Sequence, residues 1–215
     1  MDNTEKMAAL LSRLRKEMNG AVTDAMKERG IDYPLNYGVS VPTLRDIARA
    51  WAPDHSLARL LYRQQVRELI LSATVIADPG AIGAEELEFW AAGVRNSEIA
   101  EHLSMLMART RLTGVILERW MNRDTPLPAY AALLTAARSG DFTLDSGLAN
   151  RILTLLDGAE EYLCRSAARF IERAAADENA AGARRLFEAL RSSQSPRHLL
   201  VAEECAWLFA GDYEA

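Results

Sequence analysis

A chain of 215 residues that is 49% apolar and 26% charged is long enough to build a sizeable core, and its composition excludes a disordered chain. Its formal net charge of −5 weighs against a general nucleic-acid binder, although only the charge of a contacting face decides such binding. No apolar run approaches the ~20 residues that span a bilayer, which argues against a membrane protein.

The chain opens on MDNTEKMAALLSRLRKEMNG, an amphipathic helix interrupted by charge and no secretory signal. The spacing of apolar residues then predicts helix after helix: 4–18, 20–29, 42–52, 55–64, 66–77, 84–93, 96–109, 112–122, 127–138, 144–156, 159–176, 179–192 and 198–209. Pro42 suits the first turn of the third, where a missing N–H has no partner to lose. Leu44, Ile47, Ala48 and Trp51 share one face of it, with Arg45, Asp46 and Arg49 opposite. Leu57, Leu60, Leu61 and Tyr62 mark the fourth helix, and the run Leu69 to Ile76 the fifth, with Arg67 and Glu68 ahead of it and Asp78-Pro79 after it. Further along, Asp157-Gly158 and Ser139-Gly140-Asp141 are apt separators. No segment shows the period-two alternation of a strand. Short loops make neighbouring helices antiparallel, and a helix every ~17–18 residues matches the repeat length of helical solenoids. The expected fold is therefore all-α, an α-α superhelix of antiparallel helix pairs forming one domain over residues 1–215.

Cys164 and Cys205 have no companion ligands in sequence and read as buried thiols in a reducing cytoplasm. His102, beside Glu101 and four residues after Glu98, is at most half of a metal site, so no metal is expected. Lys6, Lys16 and Lys27 are the only lysines, and every other basic residue is arginine. Codon bias explains this blandly; a preference for bidentate phosphate contacts explains it functionally.

The tract from Tyr37 to Pro79 carries a resemblance. Gly38-Val39, Pro42 and Leu44-Arg45 follow a G-V-x-x-P-x-L-R phrase, and the helices with Tyr62 and Glu68 and the apolar run closing on Asp78-Pro79 follow in order. The tract resembles the opening repeats of the DNA alkylation repair glycosylases of AlkD type, which are built from HEAT-like helical pairs. That resemblance implies a HEAT-like repeat fold whose concave face takes damaged or structured double-stranded DNA, without a small-molecule cofactor.

The family's catalytic phrase, D-S-W-D-x-x-D, falls on Arg95 to Glu101. Its tryptophan position is Ser97 and its catalytic aspartate position is Glu101. A carboxylate there stabilises an oxocarbenium-like transition state, and an aromatic face adds cation–π stabilisation. Ser97 has no aromatic face and reads instead as the N-cap of the helix containing Glu98 and Glu101. The family's W-x-L-R phrase falls on Phe170 to Arg173, so the resemblance puts Phe170 and Arg173 at the lesion pocket. Arg165, Arg169 and Arg173 form an i, i+4 row, with Ser166 on the same side. The row either tracks a phosphate backbone or is a solvated face neutralised by Glu161 and Glu172. A basic pair that the family carries further on is replaced by Pro128 and Ala129. Glu101 is thus the candidate catalytic residue, and Ser97, Arg165, Arg169, Phe170 and Arg173 the candidate nucleic-acid contacts. Excision is doubtful with these residues. A helical scaffold for a protein partner is the alternative that the acidic balance leaves open.

Overall fold

The computed structural model describes residues 1–212. Thirteen α-helices fill them, matching the expected series in order, and the β structure among the described residues is an isolated bridge between Leu35 and Val66. Residues 1–110 and 111–215 form two compact units.

The first unit holds α1 (Asn3–Arg15), α2 (Gly20–Glu28), α3 (Val41–Arg49), α4 (His55–Tyr62), α5 (Arg67–Ile76), α6 (Leu87–Ala92) and α7 (Ser97–Met107). α5 packs between α3 and α7, and α4 and α1 cover it from behind. Every residue of α5 except Val75 is buried, which explains why its sequence shows almost continuous apolar character. The helix starts are set by side chains that satisfy otherwise orphaned N–H groups. Asp2 and Glu5 make a capping box on α1, Ser40 accepts from the Thr43 N–H with Pro42 in the first turn of α3, and Asp54 accepts from the Leu57 N–H. Lys6 of α1 donates to Asp54 at 2.6 Å and so ties α1 to the cap of α4. Gly38 has φ of +69°, and a Cβ there would lie 2.0 Å from the Asn19 carbonyl oxygen. The glycine at the head of the Tyr37–Pro79 tract is thus required by close backbone approach.

The second unit holds α8 (Thr113–Trp120), α9 (Pro126–Ser139), α10 (Ser146–Leu156), α11 (Glu161–Ala175), α12 (Ala180–Arg191) and α13 (Pro196–Cys205). α11 packs between α9 and α13 in one layer, and α8 backs α9 while α12 backs α11 and α13. All residues from Pro128 to Ala136 are buried. Buried Asn179 fastens the α9–α10 connection: its Oδ1 accepts from the Leu144 N–H at 2.7 Å, and its Nδ2 donates to the Phe142 carbonyl at 2.9 Å.

Several helix ends fall up to three residues from expectation, and two of the differences have a clear physical reason. The segment expected as helix 84–93 opens with a 3₁₀ turn, Ala84–Glu86, before α6. The last expected helix, 198–209, starts earlier at Pro196, where the proline again suits a first turn, and after Cys205 tightens into a 3₁₀ run, Ala206–Asp212.

Candidate nucleic-acid interface

The N-terminus of α7 is built by Asn96. Its backbone is extended and its Oδ1 accepts from the Ile99 N–H at 3.0 Å, so Asn96 is the N-cap and Ser97 the first helical residue. The expected cap at Ser97 is corrected by one position: Asn and Ser cap equally well, and the extended residue here is the asparagine. Ser97 is half-buried and carries no ring, so position 97 itself offers no aromatic face. Glu101, one turn on, is half-buried and lies on the same helical face as Glu98 and Met105.

Beneath this corner lies a charged network that the sequence shows only as Arg67 and Glu68 opening a helix. Arg67 is 2% exposed and Glu68 is fully buried. Arg67 holds Glu98 through Nε to Oε2 at 2.9 Å and Nη2 to Oε1 at 2.7 Å, and donates from Nη1 to the Val39 carbonyl and to Glu68. Glu68 accepts from the N–H groups of Tyr37 and Val39, a structural role. The Tyr33 hydroxyl completes the set, donating to Glu98 at 2.7 Å. Burial pushes the Glu98 carboxyl up, but the bonds and charge of Arg67, with the Tyr33 bond, outweigh it and hold the group below the usual carboxylate range. Burial and the neighbouring carboxylate push the Tyr33 phenol well above its ordinary value. The network fixes α7 against α5 and the Tyr37–Val39 loop, and so fixes where Ser97 and Glu101 sit.

In the second unit α11 divides cleanly. Leu163, Ala167, Phe170, Ile171 and Ala174 form its buried face, while Arg165 and Arg169 are exposed and Arg173 is partly so. Phe170 is 0% exposed, with its ring 4.7 Å from that of Phe142. The structure therefore places this residue in the core, under the arginines and away from solvent. Ser166 is also buried and donates to the Leu163 carbonyl, so it does not share the arginine face. Both positions follow the apolar stripe of the helix rather than the i, i+4 row.

The arginines keep their freedom to different degrees. Arg165 pairs with Glu161 one turn earlier, both more than 60% exposed, an arrangement worth little in water. Arg173 reaches Asp177 at 3.6 Å and lies over the end of α9. There Gly140, at φ of +69°, leaves the space: a Cβ on it would lie 2.0 Å from Nη2 of Arg173. Arg138 of α9 joins Arg169 and Arg173 along a groove of about 500 Å³ between α9 and α11, floored by Leu134 and Ala137 and edged by Glu172. Sequence reasoning missed Arg138. Its signal was weak, an arginine in the last turn of a helix, where it also serves the dipole and bonds the Leu134 carbonyl.

Pro128 and Ala129 are buried in α9, so the positions of the family's basic pair face the core. Among the described residues no cluster of three or more His, Cys, Asp or Glu side chains is placed to hold a metal, and no helix is long and apolar enough to cross a membrane. Cys164 and Cys205 are free, buried thiols. Burial raises both, and the Cys205 thiol is pushed up to about 12.

No protein-family model and no curated protein matches the sequence. Among solved structures, the chain is similar to a member of a new family of proteins related to the HEAT-like repeat DNA glycosylases with affinity for branched DNA structures. The TM-score is 0.69 at 16% identity, over 89% of this chain and 83% of the other. At that identity the likeness speaks for the fold: this chain is an all-α protein of the HEAT-like repeat architecture shared with proteins related to the DNA glycosylases.

Proposed function

We propose that this protein binds DNA, with damaged, distorted or branched duplex as its ligand, and that it no longer excises bases. The observation that carries the reading is the face of α11. Arg165 and Arg169 are exposed with Arg173 beside them, and Arg138 adds a fourth guanidinium across the groove. Guanidinium forks suit phosphate oxygens, and buried Phe170 anchors the helix that presents them. The similar protein's affinity for branched DNA supports the same class of ligand here. Residues 1–215 act in this reading as one HEAT-like-repeat domain of a cytoplasmic protein that needs no small-molecule cofactor.

Loss of excision rests on α7. The aromatic position holds Ser97, and Glu101 sets its carboxylate one methylene further out than an aspartate. A catalytic group misplaced by ~1 Å costs on the order of 100-fold.

The test is fluorescence anisotropy of the full chain with an intact duplex, a mismatched duplex and a four-way junction, over a series of salt concentrations. Binding is expected to favour the distorted substrates, to fall with salt, and to weaken in Arg169→Ala/Arg173→Ala. Binding indifferent to both changes overturns the reading. The alternative, a non-catalytic scaffold for a protein partner, draws on the net charge of −5. No DNA binding at low salt together with a co-purifying protein is its signature.

A further inference from the structure

A second groove, of about 400 Å³, lies wholly inside the first unit, where α3, the end of α5 and the last turns of α7 meet. Arg45 and Arg49 line it from α3, His102 and Met105 from α7, and Arg109 from the residues that follow α7. Among the described residues no acidic residue lines it, although the chain carries 30 acidic against 25 basic residues. Arg45 and Arg49 are one helical turn apart, about 6 Å along the axis of α3.

The cations in this groove are poorly satisfied from within the protein. The Arg45 Nη2 donates to the Met105 sulfur, a weak acceptor that neutralises no charge. Arg49 meets Asp46 at 3.0 Å, but the two side chains are 68% and 73% exposed, so water competes for the pair. Arg109 is exposed. Three guanidinium groups gathered with a single exposed carboxylate, that of Asp46, paired to them raise the local positive potential, and an anion relieves it. The donors are side chains spread along an open groove, with no backbone N–H cradle for one small anion. Such a layout fits an extended polyanion whose charges repeat. Met105, 36% exposed between the arginines, offers an apolar contact for a sugar or base.

We infer that the Arg45–Arg49–Arg109 groove is a second phosphate-binding site for nucleic acid, engaging the phosphodiester backbone separately from the α9–α11 groove. The inference rests on the DNA-binding reading and assigns it a second anchor, in the other compact unit. Losing either anchor weakens binding without abolishing it.

The experiment uses full-length Arg45→Ala/Arg49→Ala/Arg109→Ala, with Arg49→Glu/Arg109→Glu as a second variant confined to exposed side chains. Anisotropy titrations with labelled duplex and four-way junction are run from low to moderate salt, beside Arg169→Ala/Arg173→Ala. The triple variant is expected to bind on the order of tenfold or more weakly at low salt, with the slope of log affinity against log salt reduced by about 2–3, near 0.9 per lost phosphate contact. Variants that keep wild-type melting, affinity and salt slope, while Arg169→Ala/Arg173→Ala weakens binding, overturn the inference and leave the DNA-binding reading standing. A wild-type chain that binds neither DNA at low salt removes the reading and the inference together.

Discussion

Arg67 and Glu98 face each other in a two-pronged ion pair, with nitrogen–oxygen distances of 2.9 and 2.7 Å, and only 2% of the arginine side chain is exposed. The pair joins the start of α5 to the start of α7. Removing the arginine leaves Glu68 and Glu98 in the interior without their counter-charge, so Arg67→Ala is expected to lose about 3–5 kcal/mol in urea unfolding.

The same pair sets a pH dependence. Glu98 unfolded titrates near about 4.3, and folded it titrates lower, so its contribution is fully present above that value and is lost as pH falls through the folded one. Glu98→Gln should therefore be less stable than wild type at neutral pH, with the gap closing under acid conditions. Urea titrations from pH 7 to pH 3 measure it; a gap constant across that range contradicts the assignment.

Phe170→Ala should destabilise the chain by about 3–5 kcal/mol, the range for emptying a buried aromatic site. Phe170→Leu fills most of the space and should keep both fold and DNA affinity. A tenfold loss of affinity in Phe170→Leu with unchanged melting would return the ring to the interface.

Glu101→Ala tests the chemistry directly. Alkylated duplex incubated with excess protein is expected to release neither 7-methylguanine nor 3-methyladenine with wild type or variant. Release by wild type that vanishes in Glu101→Ala would restore the carboxylate to the catalytic role implied by the resemblance.

Gly38→Ala adds a strained left-handed residue, costing about 1–3 kcal/mol, and a collision with the Asn19 backbone that cannot move aside cheaply. Gly20→Ala is the matched control, because nothing lies within 4 Å of its added methyl group. Thermal melting should separate the two clearly, with Gly20→Ala unchanged or slightly raised.

The helical series was legible because it is written locally, in apolar spacing and in stop signals such as Asp78-Pro79. Pro42 in the first turn of α3 was legible for the same reason. The α7 cap was misread by one residue because Asn96 and Ser97 are both good cap residues and only the backbone chooses. Phe170 was drawn toward the interface by resemblance, although its spacing with Leu163, Ala167 and Ala174 already put it on the buried stripe. Arg45, Arg49 and Arg109 had no common signal, because α3 and α7 are brought together by packing on α5 and not by proximity in the chain.

Gly140 gives the arginine face a hidden point of control. The guanidinium of Arg173 rests where any larger residue at 140 would put its first side-chain atom. A change at Gly140, the residue that caps α9, dislodges that cation while every arginine codon stays intact. Relatives of this protein can therefore lose the contact silently, and a survey that counts arginines alone will score them as competent.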